Sequence, residues 1–314
     1  MHADSTRARQ MRLRLWGWGL ALAIALGDVA FCLASGFRVP MAPALAKLGV
    51  GVGLIGICLI YTFKRPDRKI AAVSEGAAFL IFSTPARAVA SYLGASLALP
   101  LQDALFDGID RAMGFDFPAH YAFVHANPLA ARILDACYNT SILQVALVLI
   151  TLAMTGQEER LHAFNLLFVM TAFAVIVAAN IMPTLGTYAF YGVAQADPPK
   201  FLFDPGSGWQ HLPHLTALRD GTMREVPLDD LHGLIAFPSF HTALAIVCTW
   251  ALMRTRFVFW PVAAVNVALI IATPTLGSHY LSDALAGWLI AAASIALVSG
   301  FERARAGVSV PVAA

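Results

Sequence analysis

Two short stretches in the last quarter of the chain carry side chains able to do chemistry: Phe237-Pro238-Ser239-Phe240-His241 and Gly277-Ser278-His279-Tyr280-Leu281-Ser282-Asp283. His279 and Asp283 stand four apart, so on a helix they share a face and the carboxylate reaches the imidazole. A carboxylate that accepts a ring N–H sets the tautomer and orientation of a histidine and stabilises its charged form. A histidine so held suits nucleophilic attack on phosphorus. His241 is then free to donate a proton to a leaving oxygen, with Asp283 as the orienting group. Pro238 suits the first turn of a helix, Ser239 adds a hydroxyl, and free N–H groups at a helix start favour an anion. A blander use exists for each motif: a histidine bonded to a carboxylate for packing, or a helix start with an interfacial histidine. Ionisable groups next to hydrocarbon are expensive and mark function by default, which favours the chemical reading.

The composition explains why hydrocarbon is the surrounding medium. The 314 residues are 59% hydrophobic and 13% charged, with a mean hydropathy of +0.69, whereas soluble domains carry about 25% charged residues. The chain therefore reads as an integral membrane protein whose partner is the bilayer. A net charge of +2 and the lack of a basic cluster interleaved with aromatics give no sign of a nucleic-acid partner. Cys32, Cys58, Cys137 and Cys248 sit in or beside apolar runs without metal-type spacing, as small buried hydrophobes do. His211 and His214 resemble a metal pair only superficially, since no third ligand follows at a plausible spacing. No metal and no cofactor are expected.

The elements that must position the histidines follow from the apolar runs. The pattern predicts an all-α, polytopic membrane bundle of about eight helices near 16–34, 45–63, 71–99, 133–154, 161–182, 234–253, 257–276 and 280–300, with Pro85 and Arg87 interrupting the third. Residues 1–70 form a basic tail with two spans, and 71–314 form the core that holds the site. Segment 100–131 carries Asp103, Asp107, Asp110, Arg111 and Asp116 among Phe and Leu, which predicts helices lying at the membrane surface. Segment 183–233 is the one long polar excursion, of a length typical of lids or disordered linkers. With both termini cytoplasmic, most of the 21 Lys and Arg fall on the inner side, as the positive-inside rule requires. The same topology puts 100–131, 183–233, His241 and His279 together on the outer side. Short loops and an alanine-rich composition point to a bacterial inner membrane with the site facing the periplasm.

The two motifs resemble those of the type 2 phosphatidic acid phosphatase superfamily. Its second motif is Pro-Ser-Gly-His, and its third is Ser-Arg, five residues, His, three residues, Asp. Pro238, Ser239 and His241 match the second with Phe240 in place of Gly, and His279 and Asp283 match the third. The resemblance implies that His279 is the nucleophile, His241 the general acid and Asp283 the orienting group. The third motif's Ser-Arg falls on Ala272 and Thr273, so its phosphate-binding arginine is missing. The first motif is not found either: Arg65-Pro66 lies on the inner side, with Cys58 where the motif needs lysine.

Phe240 and the His-Tyr-Leu-x-Asp pattern look more like the inositol phosphorylceramide synthase (aureobasidin-resistance) branch, as does Gly114-Phe115-Asp116-Phe117-Pro118 ahead of Tyr138-Asn139. That likeness implies metal-independent transfer of a phosphoryl or phospho-headgroup from a phospholipid donor to a lipid acceptor. With water as acceptor the enzyme would be a lipid phosphatase. Arg87, well inside a span, is the cation best suited to clamp phosphate in the missing arginine's place, ahead of Lys200, Arg219 and Arg224. Tyr138, Asn139 and Gln144 could line the pocket. The rivals are a transporter or lipid-binding protein, whose polar groups should follow a path at the midplane, and an inactive scaffold. Oligomeric state is not written in these motifs.

Overall fold

A backbone in hydrocarbon must satisfy its own N–H and C=O groups, and each apolar run accordingly folds as a helix. The computed structural model describes residues 2–193, 203 and 208–306. In chain order its helices are α1 (His2–Ser35), α2 (Met41–Leu59, continued by a π-helical turn, Ile60–Lys64), α3 (Arg68–Ala95), α4 (Asp103–Ala112), α5 (Phe117–Ala126), α6 (Pro128–Tyr138) and α7 (Ser141–Met154). There follow α8 (Glu158–Ile181), α9 (Thr187–Phe190), α10 (Leu212–Arg219), α11 (Phe240–Leu252), α12 (Arg256–Leu276) and α13 (Leu281–Ala306). The all-α membrane bundle expected from the sequence is what forms. Local chemistry sets several helix starts. Asp67 caps α3 through the backbone N–H groups of Lys69 and Ile70, and Asp116 caps α5 through Ala119.

Among the described residues, five helices are long and apolar enough to cross a membrane: α1, α2, α8, α12 and α13, with a sixth if α6 and α7 form one span bent by 45°. The other two expected spans differ from the rest for physical reasons. Helix α3 runs unbroken through Pro85, and its inward side buries Ser74, Glu75, Ser83 and Arg87, so it is an interior helix rather than a lipid-facing one. Helix α11 has 13 residues, about 20 Å at ~1.5 Å per residue, short of a hydrocarbon core of about 30 Å. It begins at residue 240 rather than near 234 because Pro238 lacks an N–H and biases the residue before it to an extended backbone.

The core joins α7, α8, α11 and α13 through Val148, Leu152, Leu167, Val247, Leu252 and Ala291. Helices α1 and α2 pack on α3 and leave Leu22, Leu33, Val52 and Phe63 exposed, the surface that acyl chains would cover. At one end of the bundle Arg9 pairs with Glu159, Arg14 with Glu75, and Arg160 donates to the carbonyls of Trp250 and Ala251. The opposite end holds α4, α5, the described part of the 183–233 segment and both histidine motifs.

Two expectations for that end change. Segment 100–131 is helical, yet Asp103 and Asp110 are buried, for reasons that belong to the site. Where described, the 183–233 segment is a folded layer: Leu215, Leu218, Val226 and Leu228 pack with Val89, Tyr92 and Leu93 of α3 and with Phe37. Truncating Leu218, 1% exposed, should therefore cost about 2–5 kcal/mol. A clear fall in the melting temperature of Leu218→Ala in detergent is expected, and an unchanged melting temperature would mean the layer is not packed.

Candidate active site

The turn between α12 and α13 is built around carboxylates. Asp283 lies in the first turn of α13, fully buried, and its Oδ2 accepts the backbone N–H of Tyr280 at 2.9 Å and His279 Nδ1 at 3.2 Å. The carboxylate folds back on the residue before the helix as in the acidic half of a capping box. Asp110 of α4 accepts the next two free N–H groups, those of Leu281 and Ser282, at 2.6 and 2.8 Å. Asp103, one helical face further along α4, accepts Gly186 N–H and the Tyr280 hydroxyl at 3.0 Å each, and Leu185 N–H at 3.1 Å. The acids of α4 thus hold the histidine turn and the start of the outer layer, which is why they are buried rather than solvated. Their spacing of seven residues was the available signal, since i and i+7 share a helix face. Against α4 the Phe106 ring stacks on Phe237 at 4.0 Å, tying the second motif to the same helix.

His279 is 2% exposed, and the Ala236 backbone also hydrogen-bonds its ring. Burial pushes the imidazole down from its ordinary value, so the ring is neutral at pH 7 and has a lone pair to offer. The second motif meets the first through the backbone, where Ser239 N–H donates to the Asp283 carbonyl at 2.9 Å. Gly287 of α13 permits this approach, because a Cβ there would stand 2.2 Å from the Ser239 carbonyl oxygen. Ser239 is the N-cap of α11, its Oγ accepting from Thr242 N–H at 3.3 Å. Pro238 therefore precedes the helix instead of opening its first turn, and the buried Ser239 hydroxyl is spent on the cap.

His241 follows, half-buried, with Nδ1 at 3.0 Å from the Tyr138 hydroxyl and the two rings stacked at 4.4 Å. Tyr138 is aimed there by the break between α6 and α7. A Cβ on Gly277 would lie 2.7 Å from both the Tyr138 hydroxyl and His279 Nε2. The phenol thus stands between the two imidazoles, and only glycine leaves it room.

The remaining candidates sit further out. Phe240 packs edge-on against Phe168 at 5.9 Å, and the Arg87 guanidinium lies over that Phe168 ring at 4.4 Å. Arg87 bonds Ser83 and Thr84 and has no acidic partner among the described residues. It is one aromatic layer from the second motif and contacts neither histidine. Asn139 bonds Asp135 in its own helix at 2.7 Å, and Gln144 bonds Thr140, so neither faces the imidazoles. Arg219 lines a shallow cleft with Asn180 and Thr184 that ends at Ala236 and Phe237, while Arg224 lies over Phe37. Lys200 lies outside the described residues. Ala272 and Thr273 are fully buried within α12, so no cation occupies the position of the missing arginine.

The geometry can present a neutral, carboxylate-held imidazole to an electrophile, with a second imidazole nearby to protonate what departs. A family model described as the PAP2 superfamily matches residues 106–297, more than half of the chain and inclusive of His241, His279 and Asp283. No curated protein and no solved structure matches the chain. Asp110 is the anchor that no motif contains. Asp110→Asn can accept only one of the two N–H groups, which should cost about 1–3 kcal/mol of stability. Thermal unfolding and turnover measured on one preparation should both fall, and wild-type values for both would remove Asp110 from the positioning of His279.

Proposed function

The chain belongs to the PAP2 superfamily, and from that premise we propose that it is an integral membrane enzyme that passes a phosphoryl or phospho-headgroup from a lipid phosphate through His279. The observation that carries this reading is the buried His279–Asp283 pair, 3.2 Å apart, facing a Tyr138–His241 pair at 3.0 Å. In the scheme, His279 Nε2 attacks phosphorus while Nδ1–H stays on Asp283. The bond from phosphorus to the leaving oxygen breaks, and His241, whose ring burial keeps neutral at rest and which takes up a proton once the anionic phosphate is bound beside it, gives that proton to the oxygen. The phosphohistidine ring is cationic, and Asp283 stabilises that charge. The acceptor hydroxyl then loses its proton to His241 and attacks phosphorus, the N–P bond breaks, and His279 is regenerated. No step requires a metal ion.

Tyr138 orients His241 through Nδ1, leaving Nε2 for the substrate. The phosphate's charge is met by Arg87 across the Phe168 layer, the buried guanidinium that no described carboxylate claims. The lipid would enter from the outer leaflet, on the periplasmic side of a bacterial inner membrane. Transfer to a lipid hydroxyl, as in inositol phosphorylceramide synthases, is favoured over hydrolysis because a nucleophile 2% exposed is poorly placed for bulk water to resolve the intermediate.

The test is an assay of the purified protein in mixed micelles, with His279→Ala as control. Phosphatidic acid, phosphatidylinositol and phosphatidylglycerol are offered with and without ceramide or diacylglycerol, and free phosphate and new phospholipid are both scored. A new headgroup-bearing lipid that needs an acceptor and is lost in the variant is expected. Free phosphate alone, lost in the variant, would make the enzyme a phosphatase. Equal signals from both proteins on every substrate would overturn the role of His279.

A further inference from the structure

Away from the two catalytic motifs, the outer layer gathers a second set of histidines. His214 lies on α10, and Asp230 and His232 follow in the segment that leads to the second motif. Their ligand atoms all lie within 4.8 Å of one another. Asp230 Oδ2 is 3.6 Å from His214 Nε2, and Asp230 Oδ1 is 3.2 Å from His232 Nε2. Two imidazoles and a carboxylate form a donor set for a borderline divalent cation, for which bonds of about 2.0–2.2 Å are usual. Donors at such bond lengths stand roughly 3–4 Å apart, so little movement would be needed to close on an ion.

The two histidines are also held from behind. Tyr92 of α3 is fully buried, and its hydroxyl sits 2.9 Å from His214 Nδ1 while accepting the backbone N–H of His232 at 3.1 Å. When His214 donates Nδ1–H to that oxygen, its Nε2 turns a lone pair towards Asp230. Support of the distal ring nitrogen is the usual companion of a metal-binding histidine. His211 differs, since it is buried with Nε2 on the Leu185 carbonyl, and so cannot form the pair with His214 that the sequence brings to mind. Asp230 is 66% exposed in its side chain. Water alone would satisfy such a carboxylate, yet both Nε2 atoms converge on it.

We propose that His214, Asp230 and His232 form a zinc-type site, with three protein ligands and an open position towards solvent. Bound there, the ion ties α10 and the 230–232 segment to Tyr92 of α3. His232 lies six residues before Pro238, so the ion steadies the strand of chain whose Ala236 backbone touches His279. The site is independent of the phosphoryl-transfer scheme and neither supplies nor consumes anything in it.

The experiment uses the full-length, tag-free protein in detergent, stripped with EDTA and titrated with Zn²⁺ against a chromophoric chelator. Co²⁺ absorption serves as a second readout. One ion per chain is expected. His232→Ala and Asp230→Asn should weaken binding at least about 100-fold, and Tyr92→Phe about 10-fold, the range found for lost ligands and lost outer supports. The melting temperature should rise with Zn²⁺ in the wild type and not in Asp230→Asn, which keeps the side-chain shape if His232→Ala fails to fold. No bound ion in the wild type, or equal affinity in Asp230→Asn, would overturn the site.

Discussion

The Asp283 carboxylate is buried at the edge of the bilayer, where an isolated charge costs several kcal/mol. That cost is tolerable because Oδ2 receives both Tyr280 N–H and His279 Nδ1, while the main-chain carbonyl of the same residue receives Ser239 N–H. One residue therefore holds His279 through its side chain and the start of the second motif through its backbone. Its Oδ1 has no partner, so the charge is not wholly compensated in the resting state. In the proposed scheme, compensation is completed when His279 becomes cationic. An interaction that strengthens as charge develops accelerates reaction, whereas one made equally beforehand does not.

The elements around Asp283 follow from this requirement. Helix α4 contributes Asp103 and Asp110 as acceptors for backbone groups of the histidine turn and the outer layer, so neither segment needs water to satisfy it. Small residues allow the close approaches: Gly287 beneath the Ser239 carbonyl and Gly277 beneath the Tyr138 hydroxyl. The break between α6 and α7 turns Tyr138 towards His241. Helix α2 packs on α3, and α1 on α3 and α8, and neither supplies a residue of this cluster.

How much of this was legible in the sequence depended on the distance over which each residue acts. His279 and Asp283 lie within one helical turn of each other, and their pairing could be read from spacing alone. The long apolar runs gave the helices, because hydrocarbon allows few alternatives. Asp110 was read as a surface charge because its partners, Leu281 and Ser282, are far away in the chain and are backbone groups without a signature. Asn139 looked like a pocket residue and instead bonds Asp135 four residues back, a local pairing that spacing could have shown. Ser239 looked like a substrate hydroxyl and is a helix cap. The gathering of His214, Asp230 and His232 depends on the outer layer's packing against Tyr92, and no linear spacing announces it.

The central claim is that the transferred group passes through a covalent bond to His279. The most direct measurement is acid quenching of the enzyme during turnover with a donor lipid labelled in its phosphate, followed by peptide mapping under conditions that preserve acid-labile phosphoramidates. The label should reside on the peptide containing His279, disappear in His279→Ala and accumulate in the wild type when acceptor is withheld. Turnover with no protein-bound label at any quench time, or label on His241, would contradict it.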